Sequence, residues 1–170
     1  MVEMDNNSNM DQLNKRVQEL IKQLDLKPHP EGGFFKEKYR SIERTNGDKS
    51  LMTSIYFLLT SEHVSHFHRI KSDEHWYFHE GSSLTIHLLK DQNHVELKLG
   101  PNLEKGESFY HVVQKNIIFG STVESDNGYA LVSCAVAPGF DFKDFELLDS
   151  EYLLENFPEE EMIIRKLTFQ

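Results

Sequence analysis

The sequence predicts a mainly β domain: a closed or sandwich-like antiparallel array of short strands, with one N-terminal helix and one or two short C-terminal helices. Between about residues 34 and 136, short runs rich in aromatic and β-branched residues alternate with turn signals, and no helix pattern intervenes. Apolar residues recur at helical spacing near the start of the chain, and capping residues and a proline mark helix near its end. The chain has 170 residues, 38% of them hydrophobic, including 12 Phe, 6 Tyr and 1 Trp, which is enough to fill one sizeable core. Residues 1–10 are read as a flexible polar extension and residues 11–170 as a single domain.

Ser8 with Asp11 three positions on can cap a helix whose apolar stripe is Leu13, Val17, Leu20, Ile21 and Leu24. It must end before Pro28-His29-Pro30-Glu31-Gly32-Gly33, where two prolines and two glycines exclude regular helix. Strands are predicted near 34–40, 51–60, 64–70, 74–80, 84–90, 94–99, 108–114, 117–123 and 129–136. Breaks such as Asn46-Gly47-Asp48, Lys90-Asp91-Gln92-Asn93, Gly100-Pro101-Asn102 and Asp126-Asn127-Gly128 separate them. Asp149 and Ser150 offer a cap for a helix over Glu151–Phe157, and Pro158 suits the first turn of another reaching Leu167. A run of strands without crossover helices disfavours a Rossmann-type site.

Composition narrows the function. A formal net charge of −10 repels phosphate backbones and anionic membrane surfaces, so nucleic acid and membrane are poor partners. No apolar run approaches the roughly 20 residues that span a bilayer. The first ten residues lack the basic start and apolar stretch of a secretory signal, and the single cysteine, Cys134, excludes an internal disulfide. Both point to a reducing, cytoplasmic location. Cys134 sits in the apolar run Tyr129–Val136, where a small buried hydrophobe is the simplest role.

Chemistry gathers in one stretch. His66 and His68 stand two apart in a strand-like segment, so their imidazoles are expected on one face, able to converge on one ion. The polar turn Arg69-Ile70-Lys71-Ser72-Asp73 then lets the next strand bring Glu74 back to face them. Alternation on that strand groups Glu74 with Trp76, Phe78 and Glu80, a few polar groups among large aromatics, as a ligand pocket requires. His63, His75, His79, His87 and His94 show no complementary spacing and are read as surface or packing residues.

His66-x-His68, Glu74 and, after six intervening residues, Gly81 resemble the first conserved motif of the cupin superfamily, with five residues instead of three or four between the second His and the Glu. The segments Leu26–Phe35, Phe67–Glu74 and Val136–Phe142 together resemble one branch of cupins catalogued as a domain of unknown function. The likeness runs from about residue 13 to 167. It implies a double-stranded β-helix, or jelly-roll barrel, with relatives commonly forming homodimers and structural likeness to sugar-nucleotide epimerases and seed storage proteins. The family's second motif normally supplies a third His after a Pro-x-Gly turn; here Gln114–Gly120 lacks the turn and Phe119 stands at the histidine position.

Two uses of the site stay open. His66, His68 and Glu74 could hold one divalent ion, Zn, Fe, Mn or Ni, with waters completing the shell. Without a metal, His66 or His68 paired with Glu74 could act as base and orienter in proton abstraction, as the resemblance to metal-free epimerases of the fold implies, with His68 and Glu74 as the catalytic pair. Glu31, Tyr56, Trp76, Phe78, Tyr110 and Phe119 are assigned to the pocket wall. The expected ligand is a small, polar, carbohydrate-like molecule, for an isomerase-, epimerase- or oxygenase-like enzyme or for a non-catalytic binding or sensing module.

Overall fold

The computed structural model describes residues 15–169. The first helix, α1, covers residues 15–23 among these; the predicted cap at Ser8 and Asp11 and the 1–10 extension lie outside the described residues. Eleven strands follow: β1 Lys27–Pro28, β2 Phe34–Arg40, β3 Thr53–Thr60, β4 Ser65–Arg69, β5 Asp73–Gly81, β6 Leu84–Lys90, β7 Asn93–Leu99, β8 Tyr110–Val113, β9 Ile118–Val123, β10 Tyr129–Ala137 and β11 Glu146–Leu147. Nine coincide with the predicted segments; the two-residue strands β1 and β11 carry too few residues to show a period.

The strands form two antiparallel sheets, one in the order β1-β2-β3-β10-β5-β8, the other β11-β4-β9-β6-β7. Their facing sides enclose a core of Phe57, Leu59, Trp76, Leu84, Ile86, Leu88, Phe119 and Val132. Residues of opposite parity pack outward under the helices. Val17 and Leu20 of α1 cover Leu58 and Leu131 on one sheet. On the other, Phe67, Leu89 and Ile118 lie beneath Leu153, Phe157, Ile164 and Leu167. In β3, Phe57 and Leu59 face the barrel core while Leu58 faces α1, so the run Ile55–Leu59 is apolar throughout because both faces of the strand are covered.

At the C-terminus Asp149 accepts a hydrogen bond from the Tyr152 backbone N–H (2.8 Å), which starts α2 at Ser150–Asn156 as expected. The second predicted helix is divided. Pro158–Glu160 forms a 3-10 turn and α3 spans Glu161–Lys166.

One-residue irregularities occur in β2, β4 and β5, and the latter two reset side-chain parity around the cavity. In β4, Ser65 pairs with Ser121 while His68 pairs with Phe119, three steps on one strand against two on the other. In β5, Phe78 pairs with Val132 but Glu80 pairs with Leu131, leaving His79 as the extra residue. Glu80 therefore turns to the outer face, where its carboxylate takes Arg16 of α1 (2.7 and 2.8 Å) and the Tyr129 hydroxyl (2.7 Å). Simple alternation would have placed it beside Glu74.

Candidate active site

One end of the barrel holds a cavity of about 320 Å³ whose wall includes His29, Glu31, His68, Glu74, Trp76 and Cys134. Glu31 reaches it from the turn before β2. Gly32 and Gly33 adopt φ of 113° and 72°, and a Cβ on Gly32 would lie 2.0 Å from the Val64 carbonyl oxygen. Only glycine lets this turn press so close to the start of β4. The Glu31 carbonyl accepts both the backbone N–H and the Nδ1–H of His66 (2.7 and 2.6 Å), which fastens the turn in place.

The β4 bulge decides which side chains enter. Ser65 and His68 point at Glu31: the Ser65 hydroxyl donates to Oε1 (2.9 Å) and His68 Nε2 lies 3.0 Å from Oε2. His66 does not join them; its ring stacks on Phe169 at 3.6 Å and lies outside the cavity lining. The expected convergence of His66 and His68 is thus corrected, because the extra residue between Ser65 and His68 breaks the period-2 rule on which it rested. Among the described residues His68, already committed to Glu31 and to the His66 carbonyl, shares no three-donor cluster with His66 and Glu74. The barrel residues present do not make a metal cage.

What they make is a proton-sharing pair. His68 Nδ1–H donates to the His66 carbonyl (2.7 Å), so Nε2 is left facing Glu31. Burial pulls the His68 pKa down to about 4 and pushes that of Glu31 up. Both directions favour a neutral pair, with the Glu31 O–H donating to Nε2. The Glu31 backbone N–H donates to His29 Nδ1 (3.2 Å), and His29 is itself kept neutral by burial among Phe35 and its aromatic neighbours.

Glu74 is 8% exposed, and burial, then the nearby Glu31, raises its pKa to about 8. At pH 7 it is a carboxylic acid with a proton to give. The Cys134 thiol beside it is pushed up by burial and by Glu74, which leaves it protonated and consistent with packing. The Trp76 indole N–H, in a residue only 1% exposed, has no hydrogen-bond partner among the described residues. Phe35, Phe57 and Phe142 supply apolar wall, and exposed Arg40, held by Glu37 (2.8 and 2.9 Å), belongs to the outer part of the lining.

Of the other residues assigned to the wall, Glu31 and Trp76 line the cavity. Phe119 does not line it but packs on His68 at 4.2 Å, supporting the imidazole from behind. Phe78 belongs to the packed core, Tyr56 lies on the outer face under α1, and Tyr110 is 41% exposed with its hydroxyl on His75 (2.7 Å). These three are corrected: a large aromatic on a strand suits either face, and its parity was not fixed by composition. His29 and Phe35 line the cavity without having been assigned to it. Their signal was proximity in sequence to Glu31.

A second departure concerns His87 and His94. Among the described residues, the group of three potential metal ligands whose donor atoms lie within 4.8 Å of one another is His87, His94 and Glu96. They stand on the outer side of β6 and β7, opposite to Ile86 and Leu88 of the barrel core.

Two facing sheets closed around a polar cavity define a cupin barrel. The chain matches the family described as Cupin superfamily (DUF985) over residues 18–148, and it belongs to that family. It is 30% identical over 154 residues to an uncharacterized protein of Saccharomyces cerevisiae, YML079W, spanning 79% of this chain and 76% of that one. Protein SO0799 from Shewanella oneidensis superposes with a TM-score of 0.86 at 44% identity, covering 90% of this chain and 97% of its own. A hypothetical protein from Leishmania major gives 0.85 at 37% identity, over 91% and 99% of the two chains. Oxalate decarboxylase from Bacillus subtilis shares the fold alone, at 15% identity and a TM-score of 0.53 over 82% of this chain and 36% of that chain.

Proposed function

We propose that the barrel is an acid–base active site for a small hydroxyl- or carbonyl-bearing molecule and that it catalyses isomerisation or epimerisation by proton transfer. The observation carrying this reading is the buried Glu31–His68 contact in the same cavity as a Glu74 carboxyl that keeps its proton at neutral pH. Two titratable centres whose surroundings drive their protons apart are the mark of an assigned acid and base.

In the proposed step, the carbon next to a substrate carbonyl loses its proton to Glu31 Oε1 as the proton on Glu31 Oε2 moves to His68 Nε2, so Glu31 stays a neutral acid and His68 becomes the imidazolium. The C–H electrons form the C=C bond of an enol, and the carbonyl π electrons take the Glu74 proton, leaving Glu74 anionic. Charge is conserved within the cavity. Where the intermediate is an enediol, return of the pair's proton to the former carbonyl carbon, while the hydroxyl on the deprotonated carbon gives its proton to Glu74, yields the isomer; return to the deprotonated carbon after the intermediate turns over in the cavity, while the first hydroxyl gives its proton back to Glu74, yields the epimer. Trp76 Nε1–H supplies a further donor for a substrate oxygen, and Phe35, Phe57 and Phe142 offer faces for the C–H side of a sugar-like ring.

The test is isotope exchange. A panel of ketoses, nucleotide-sugars and 2-keto acids is incubated with the protein in D2O, and proton NMR follows the signal next to the carbonyl. Wild-type protein is expected to wash out that signal for one class of compound, and Glu74→Gln or His68→Gln to slow the loss by roughly 10²–10⁴-fold. A compound that binds by calorimetry but never exchanges would overturn the catalytic reading in favour of a binding module.

A further inference from the structure

We propose that the outer face of the β6–β7 hairpin is a zinc site, with His87 Nδ1, His94 Nε2 and the Glu96 carboxylate as ligands and water in the fourth position. It is separate from the barrel cavity and does not depend on the function proposed for it.

The hairpin builds the cluster. Asp91 and Gln92, at φ of 51° and 65°, make a two-residue turn that pairs Lys90 with Asn93. That register sets His87 opposite Glu96 and His94 opposite Leu89, so the three side chains share one face on alternate rungs. His87 Nδ1 lies 2.9 Å from His94 Nε2 and 3.9 Å from Glu96 Oε1. Ligands on a tetrahedral Zn²⁺ with bonds of about 2.0–2.1 Å stand about 3.3 Å apart, between these two separations. Small side-chain rotations suffice to admit the ion.

The surroundings suit a metal ligand. His87 is 5% exposed, and its Nε2 lies 2.8 Å from the Thr122 hydroxyl. With that N–H given to Thr122, Nδ1 presents its lone pair, the outer-shell arrangement that orients metal-bound imidazoles. Glu160 accepts the His94 backbone N–H (3.0 Å), tying the second ligand's strand to the turn ahead of α3. His94 is half-buried and Glu96 exposed, which leaves a solvent-facing side for the fourth ligand. Two imidazoles and one carboxylate are a borderline donor set that suits zinc better than Mg²⁺ or Ca²⁺. Since β7 is the edge of its sheet, the ion would clip an otherwise one-sided strand to its neighbour.

The experiment uses the full chain without an affinity tag, stripped with a chelator and dialysed. Titration with ZnCl2 in a calorimeter is expected to give one saturable equivalent, and long-range ¹H–¹⁵N spectra are expected to move the ring nitrogens of His87 and His94 while those of His68 stay in place. Both His94→Gln and the surface variant Glu96→Gln are expected to weaken binding, His94→Gln by about 100-fold or more, since even outer-shell partners carry 10–100-fold. His68→Gln is expected to bind zinc like wild type. Absence of saturable binding, or loss in His68→Gln with retention in His94→Gln, would overturn the proposal.

Discussion

Glu74 gives up hydration on entering the barrel, and that burial is the main cause that raises its pKa from 4.5 to about 8. The folded state then holds a proton that the unfolded state releases. Stability contributed by Glu74 is complete below pH 4.5 and is lost as pH rises through 8. At about 1.4 kcal/mol per pH unit the loss is on the order of 3–5 kcal/mol. Glu74→Gln cannot ionise, so its unfolding free energy relative to wild type is expected to climb across that window, as urea titrations at pH 4.5, 6 and 8 would measure. His68 and His87 act in the opposite sense. Both are lowered to about 4, so their contribution is present above pH 6.5 and lost as pH falls through 4. A difference curve between Glu74→Gln and wild type cancels them. Glu31 acts through His68. Glu31→Gln can still donate an N–H to Nε2 but has no proton to transfer, so exchange in D2O is expected to fall roughly 10²-fold or more while the melting temperature moves by only a few degrees.

Elements place these residues through irregularities as much as through regular strands. Gly32→Ala would put a methyl 2.0 Å from a backbone oxygen at a φ of 113°, so the turn must move and carry Glu31 away from His68. The expected cost is about 2–4 kcal/mol in denaturant unfolding, together with loss of exchange activity. The same irregularities mark how far the sequence could be read. The nine longer strands were legible because aromatic and β-branched runs broken by turn residues report the sheet directly. Glu31, His68, Glu74 and Trp76 were legible as polar or aromatic residues clustered in short motifs. His66 was not, because a single inserted residue in β4 reverses parity without changing composition. The same holds for Glu80 in β5. His87 and Glu96 were legible in principle: a two-residue turn at 91–92 makes them cross-strand partners, but only once hairpin pairing is applied instead of spacing along one strand.

Across the whole molecule, the C-terminal helices are a second cover and not an appendage. The Phe67 backbone N–H donates to the Leu167 carbonyl (2.7 Å), and Phe67, Leu89 and Ile118 have their outward faces closed by α2 and α3. A chain ending at Leu148 would keep both sheets but expose that apolar face. It is expected to bind a hydrophobic dye and to aggregate at micromolar concentration, as light scattering would record. Phe67→Ala in the full chain is the milder form of the same injury, at about 3–5 kcal/mol. One residue joins all of this to a measurement. Trp76, the sole tryptophan, is 1% exposed between Phe57 and Phe119 and forms part of the cavity wall. The native protein therefore carries its own fluorophore at the place a ligand must touch. Emission should be blue-shifted and resist acrylamide quenching. A compound that enters the barrel should change its intensity with no label attached, whereas zinc on the far side of β6 should leave it dark to the event.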